Sequence, residues 1–101
     1  MRLVWRARAL EDRDRIARYI AGEGNAQAAR DLDADFKAKA EIARQTPEIF
    51  KLSQRTKGLR EIVVRPHYIM LYRVTKNEVI ITNVKHAMRQ WPTKGGSKTG
   101  K

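Results

Sequence analysis

Basic and imidazole side chains surround three short apolar runs in the C-terminal half of this 101-residue chain. Cleaving RNA without a metal requires a base for the 2′-hydroxyl, cationic donors for the phosphate and an acid near neutral pKa. His86 is the best candidate for proton transfer, because histidine titrates near neutrality and because Lys85 precedes it and Arg89 follows it. The alternative is a structural histidine, hydrogen-bonded at the end of a strand.

The other candidates for target binding are three arginines and a tryptophan: Arg60, Arg65, Arg73 and Trp91. Arginines on adjacent strands can bind phosphates, or they can solvate a sheet edge that would otherwise invite strand addition. Trp91 can stack on a base, or it can pin the C-terminal segment to the sheet. Strand alternation places Arg60 on the face of Ile62 and Arg73 on the face of Ile69, so convergence of the arginines cannot be derived from the sequence.

Two further titratable residues receive structural interpretations. Glu61 could serve as a base, but we expect it to pair with Arg60 or Arg73. His67 is interpreted as an exposed turn residue. The chain has no cysteine, which excludes disulfides, cysteine nucleophiles and cysteine metal sites, and we predict no metal and no cofactor.

β-branched and aromatic residues dominate the apolar runs at residues 62–64, 68–72 and 79–81, which predicts three strands. The connections at residues 65–67 and 75–78 are short enough to require antiparallel neighbours. Leu3, Val4 and Trp5 predict a first strand ahead of them.

Apolar spacing predicts two helices, over about residues 9–21 and from the N-cap Asn25 to about residue 45, where Pro47 prevents continuation. The predicted apolar faces are Ala9, Ile16, Ala17 and Ile20, then Ala29, Leu32, Phe36, Ala40 and Ala43, with Arg13, Asp14, Arg15 and Arg18 solvated. Ile49, Phe50 and Leu52 should hold the following loop on the core. The result is an α+β fold, β-αα-βββ, with a helical hairpin packed on a small antiparallel sheet.

The charge is distributed unevenly along the chain, whose net charge is +11. Residues 1–46 carry ten basic and eight acidic side chains, whereas residues 47–101 carry twelve basic and three acidic ones. A polyanionic or acidic partner is therefore expected, most simply on the strand half. Arg6 interrupts the N-terminal apolar run and no run approaches a membrane span, so we predict a cytoplasmic protein without membrane contact.

Residues 1–92 are predicted to form one domain, followed by a disordered basic tail over residues 93–101. The tail contains the spacing of a phosphate-binding loop, GxxxxGK, at residues 95–101. Such a loop needs a preceding strand, a following helix and a hydroxyl for magnesium, so we interpret this match as coincidental.

Three pieces of the strand-rich half are distinctive in order and spacing: Gly58-Leu59-Arg60-Glu61-Ile62-Val63, Pro66-His67-Tyr68-Ile69-Met70-Leu71-Tyr72-Arg73-Val74 and Asn83-Val84-Lys85-His86-Ala87-Met88-Arg89-Gln90-Trp91-Pro92. Behind two helices, this order resembles the RelE/ParE superfamily, the toxins of type II toxin–antitoxin systems, and most closely its ParE branch. The resemblance covers roughly residues 2–92 and is weaker in the N-terminal half.

The two branches imply different activities. RelE-like members are ribosome-dependent mRNA endonucleases and usually carry an arginine where this chain has Ile69. The lysine-rich second helix and the C-terminal tyrosine of that branch are not evident here. His86 matches a histidine of some nucleases and equally the Val-x-His signature of ParE-like toxins, which are not known as hydrolytic enzymes. The resemblance therefore implies a ParE-like toxin of a plasmid-stabilisation module that arrests growth by inhibiting DNA gyrase.

Two alternatives stay open: an mRNA endoribonuclease acting on the ribosome, and an inactive toxin that only forms a complex. The resemblance also implies a cognate acidic antitoxin, which would supply the contact with operator DNA. On this interpretation the target-binding residues are Arg60, Arg65, Arg73, Lys85, His86, Arg89 and Trp91, and His86 is the candidate catalytic residue if the chain is an enzyme.

Deleting residues 93–101 should leave the melting temperature and the biological activity unchanged, because this tail has no apolar residue to bury. Thermal unfolding of the full and shortened chains checks this. A lowered melting temperature would show that the domain extends beyond residue 92.

Overall fold

The computed structural model describes residues 1–88, which form β1 (Arg2–Trp5), α1 (Ala7–Gly22), α2 (Ala26–Gln45), β2 (Arg60–Val64), β3 (Tyr68–Val74) and β4 (Glu78–His86). The predicted α+β class and the order β-αα-βββ are confirmed. Each predicted apolar run lies inside an observed strand, and β4 extends beyond its run at both ends.

The sheet is mixed rather than wholly antiparallel. Its strand order is β1-β4-β3-β2, and the antiparallel meander of β2, β3 and β4 is the predicted one. β1 adds a parallel edge to β4, from Arg2 opposite Glu78 to Trp5 opposite Ile81. The prediction of a purely antiparallel sheet was wrong on this point, because the helical hairpin after β1 is long enough to return the chain in either direction.

One extra residue interrupts the pairing of β3 with β4. Leu71 pairs with Asn83 and Tyr72 with Ile81, so Thr82 has no partner across the ladder. Its hydroxyl donates to the carbonyl of Leu71 over 3.2 Å. A bulge of this kind bends the strand, and it separates the part of β4 that faces β1 from the part that runs on to His86.

The helical hairpin begins and ends as predicted. Gly24 adopts a φ of 88° in the turn, a conformation that costs glycine little. Asn25 is confirmed as the N-cap of α2, because its side chain accepts a hydrogen bond from the Ala28 amide over 3.1 Å. α2 ends at Gln45, two residues before Pro47. Within residues 1–88, neither helix is both long and apolar enough to cross a bilayer.

The hairpin covers one face of the sheet. The buried helical residues are Ala9 and Ile16 of α1 and Ala29, Phe36, Ala40 and Ala43 of α2. They face a layer of sheet side chains made of Ile62, Val64, Tyr68, Met70, Tyr72, Val79, Ile81 and Val84. Phe36 meets Tyr68 edge to face, with ring centroids 5.9 Å apart. Ile20 and Leu32 pack at the rim of this core, where the predicted apolar faces placed them.

The loop between α2 and β2 is held by fewer apolar residues than predicted. Phe50 packs edge to face on Tyr72, with centroids 6.3 Å apart, but Ile49 is 58% exposed and Leu52 is 61% exposed. The hydroxyl of Tyr72 donates to the carbonyl of Pro47, and burial raises the pKa of Tyr72. Backbone pairing replaces the missing anchors, since Leu52 bridges to Arg60.

Arg13 is not a solvated helix residue, contrary to expectation. Its Nε and one terminal nitrogen each donate to a carboxylate oxygen of Asp33 over 2.8 Å, which joins α1 to α2. Its guanidinium also lies over the Trp5 ring, 4.5 Å from the centroid. Both charged side chains are mostly shielded, and the hydrogen bonds from Arg13 hold the pKa of Asp33 below its ordinary value.

A depressed carboxyl pKa stabilises the folded state above the unfolded pKa, and this contribution is lost as the pH falls through the folded pKa. Asp33→Asn should therefore lower the free energy of unfolding by about 1 kcal/mol at pH 7. The difference from the wild type should shrink as the pH falls below about 4. Urea unfolding of both proteins at pH 7, 5 and 3 measures this difference in the free energy of unfolding.

Asp14→Asn is the matched control, because Asp14 pairs with Arg18 in the same helix at an exposed position. It should change stability by only a few tenths of a kcal/mol at each pH. Equal destabilisation by Asp33→Asn at pH 7 and pH 3 would contradict the assigned ion pair.

Candidate functional site

The face of the sheet opposite the helical hairpin carries two of the predicted basic residues. This open face consists of the side chains that alternate with the core layer: Glu61, Val63, Ile69, Leu71, Arg73, Ile80, Asn83 and Lys85. Arg73 is exposed, and Lys85 lies opposite Ile69. Ile69 is 8% exposed and Leu71 is 1% exposed. The face therefore has an apolar centre with cations near it.

Arg60 belongs to the opposite face and has a structural partner. It shares the covered side with Ile62, and its Nη1 donates to the carbonyl of Phe50 over 2.7 Å. This bond holds the loop against β2. Arg60 and Arg73 therefore point to different sides of the sheet, so the predicted arginines do not form one cluster.

The two histidines meet at the end of the sheet. His86 pairs with Tyr68, and its ring stacks on His67 with centroids 5.4 Å apart and planes 14° from parallel. The Nδ1 of His86 accepts a hydrogen bond from the Met88 amide over 3.1 Å. His67 is exposed, as expected, but the stack was not predicted. The signal for it was the pairing register, which brings the turn beside the last residues of β4.

The histidine pair lines an open cleft of about 550 Å³ between the sheet and the hairpin. Arg65 contributes to the lining from the turn after β2, and Tyr19, Asp31 and Asp35 contribute from the helices. Asp31 accepts from Gln27 over 2.8 Å, and Asp35 pairs with Lys39 at 3.1 Å. The cleft therefore combines charges of both signs with an apolar floor.

Two acidic side chains are buried among the described residues; the partner predicted for one was wrong, and the other was not singled out from the sequence. Glu61 accepts a hydrogen bond from the Ser53 hydroxyl over 2.7 Å, rather than pairing with Arg60 or Arg73. The second is Asp12 of α1, which is fully buried and accepts from the backbone amide of Val84 over 2.8 Å. Sequence analysis missed Asp12, because an acid among the charged residues of this helix looks solvated.

Several predicted features lie outside the described residues 1–88: Arg89, Trp91, the tail at 93–101 and the phosphate-loop spacing at 95–101. Within residues 1–88, no group of three or more histidine, aspartate or glutamate side chains is close enough to hold a metal ion.

A family model described as the ParE toxin of the type II toxin–antitoxin system parDE matches residues 3–91. The chain belongs to the ParE toxin family. This match spans the whole β-αα-βββ arrangement, and it confirms the superfamily that the sequence resembles.

Two comparisons place this ParE family member beside known proteins. Toxin RelE2 of Caulobacter vibrioides is 37% identical over 87 residues, which cover 86% of this chain and 96% of that protein. A solved structure titled "Chromosomal ParDE TA system from P. aeruginosa" superposes with a TM-score of 0.77, covering 85% of this chain and 95% of its own. The identity to that structure is 19%, so it supports the fold alone.

Alanine substitutions of Arg60 and Arg73 should affect different properties, stability for Arg60 and toxin activity for Arg73. Arg60→Ala removes the bond to Phe50 and should lower the free energy of unfolding by about 1 kcal/mol. Arg73→Ala removes an exposed side chain from the open face and should change it by less than about 0.5 kcal/mol, while reducing growth arrest.

Urea unfolding and a growth assay on both variants make the comparison. Full toxicity in a stable Arg73→Ala variant would remove the open face from the candidate site.

Proposed function

We propose that this ParE family member arrests growth by binding and inhibiting DNA gyrase, and that an acidic antitoxin neutralises it. The observation that supports protein binding over catalysis is the environment of His86. Cleavage of RNA would require cations gathered where charge develops on the phosphate. Among the described residues lining the histidine cleft, Arg65 carries the one permanent positive charge, and Asp31 and Asp35 oppose it.

Arg60 and Arg73 do not line this cleft. Arg60 is bonded to the loop on the covered face, and Arg73 lies on the open face. A phosphate beside His86 would thus meet one guanidinium, the carboxylate of Asp31 and the carboxylate of Asp35, whose charge Lys39 balances. That balance disfavours an anionic transition state and argues against RNA cleavage at this site.

Ile69 supports the same conclusion from the other side of the sheet. It occupies the position at which RelE-like nucleases carry an arginine, and it lies nearly buried between Val63 of β2 and Lys85 of β4. Ile69 belongs with Leu71 to the apolar centre of the open face, and it offers no hydrogen-bond donor to a phosphate. The exposed side chains of this face, Val63 and Arg73, are an apolar and a basic contact suited to a protein partner.

The charge supports an acidic antitoxin. At +11, the chain gains from a partner that carries opposite charge and folds as it binds. The open face presents exposed Val63 and Arg73, and the histidine cleft presents an apolar lining beside Arg65, so a wrapping segment could contact both sides of the molecule together. Operator DNA would then be contacted by the antitoxin rather than by this chain.

The second candidate function is ribosome-dependent mRNA cleavage. It is favoured by the stacked pair of His67 and His86, which places two imidazole rings side by side. The similarity to the protein named Toxin RelE2 also favours this candidate. A toxin that retains only antitoxin binding is the third.

Expression without antitoxin should arrest growth with filamentation and an SOS response, while bulk mRNA stays intact. The purified chain should inhibit supercoiling by gyrase in vitro, and antitoxin should restore both growth and supercoiling. Ile69→Arg should not introduce mRNA cleavage, and Ile69→Leu controls for altered packing at that position.

Codon-phased cuts in ribosome-bound message would overturn gyrase inhibition in favour of the nuclease. Normal growth at high levels of folded chain would favour the complex-forming alternative.

A further inference from the structure

Asp12 is the most deeply buried of the described acids, and the proposed function gives it no role. Its side chain is fully buried, yet it sits in the middle of a charged helix. Oδ2 accepts from the amide of Val84 over 2.8 Å, a contact between residues 72 positions apart. Burying a carboxylate is costly, so its partners should explain why this position holds an acid.

The partner amide lies where β4 loses a neighbouring strand. β1 ends at Trp5 opposite Ile81, and the next amide, that of Arg6, makes the last bond, to the Ile81 carbonyl over 3.0 Å. Beyond the extra residue Thr82, β4 continues without β1 beside it. The Val84 amide would be buried without an acceptor there, and Asp12 provides one in place of a strand.

The charge of Asp12 is balanced from the surface. Oδ1 accepts from Nε of Arg8 at 3.1 Å and from a terminal nitrogen of Arg15, one helical turn to either side. Both arginine side chains are more than half exposed, so they stay hydrated while they neutralise the acid. Oδ1 thus makes the ion pairs, and Oδ2 accepts the hydrogen bond from the backbone of β4.

We propose that Asp12 is a positioning residue: through the Val84 amide it fixes the last three residues of β4, and with them Lys85 and the ring of His86. His86 can stack on His67 only if this segment keeps its register with Tyr68. The effect on toxicity rests on the proposed function, whereas the effect on the geometry of β4 does not.

Asp12→Ala and Asp12→Asn test the inference in the full chain, separated from its antitoxin. Alanine removes the acceptor, whereas asparagine keeps one oxygen for the Val84 amide and loses the charge. Tyr72→Phe is the control for a general loss of stability, because it deletes the side-chain hydrogen bond to Pro47 elsewhere in the same sheet and leaves Asp12 and its partners in place.

In Asp12→Ala, hydrogen exchange at residues 84–86 should accelerate roughly tenfold more than at residues 79–81. The ring proton shifts of His86 should change, and toxicity should fall further than in Tyr72→Phe for an equal loss of melting temperature. Asp12→Asn should keep the exchange protection, the ring shifts and most of the toxicity.

Uniform acceleration along β4, or unchanged His86 shifts in Asp12→Ala, would reduce Asp12 to a general stabilising residue and overturn the proposal. So would Asp12→Asn matching Asp12→Ala, or failure of both variants to fold. If the wild type proves non-toxic, the proposed function fails, while the exchange and ring-shift measurements still decide the positioning role.

Discussion

The central position of β4 is the constraint on which the other elements depend. It pairs in parallel with β1 on one side and antiparallel with β3 on the other, and it receives the carboxylate of Asp12 from α1. Its inward side chains, Val79, Ile81 and Val84, form the middle of the core under the hairpin. The bulge at Thr82 allows one strand to serve two purposes, since the part before it completes the sheet and the part after it presents His86.

Most charged side chains of the described residues lie around this core, and Asp12 and Glu61 are the two that are buried. The buried acids have defined partners: Asp12 accepts from the Val84 amide and pairs with Arg8 and Arg15, and Glu61 accepts from Ser53. Arg65 and Arg73 lie at the surface, where desolvation costs little until a partner arrives. A small domain with a high net charge can therefore stay folded alone and still present two differently charged surfaces, the open face and the cleft.

Much of the architecture followed from local patterns. The β-branched runs located the meander, short turns set its directions, and Asn25 and Pro47 marked the limits of α2. What the sequence did not reveal depends on partners far along the chain. The parallel addition of β1, the pairing of Arg13 with Asp33 and the bond from Asp12 all join segments that local periodicity cannot relate. The candidate site was limited likewise: residue types suggested His86 and Arg73, but only the register showed that they lie apart.

The first strand of this fold pairs with the last. β1 cannot pair until residues 78–81 have been synthesised, and Asp12 cannot accept its backbone hydrogen bond until residue 84 has been synthesised. At about 5–20 residues per second of synthesis, that delay is on the order of several seconds, during which the hairpin has no sheet to cover. Such long sequence separation also slows folding after release. A nascent chain interrupted before β4 cannot assemble the sheet, so the toxin fold is completed only after residues 78–86 have been synthesised.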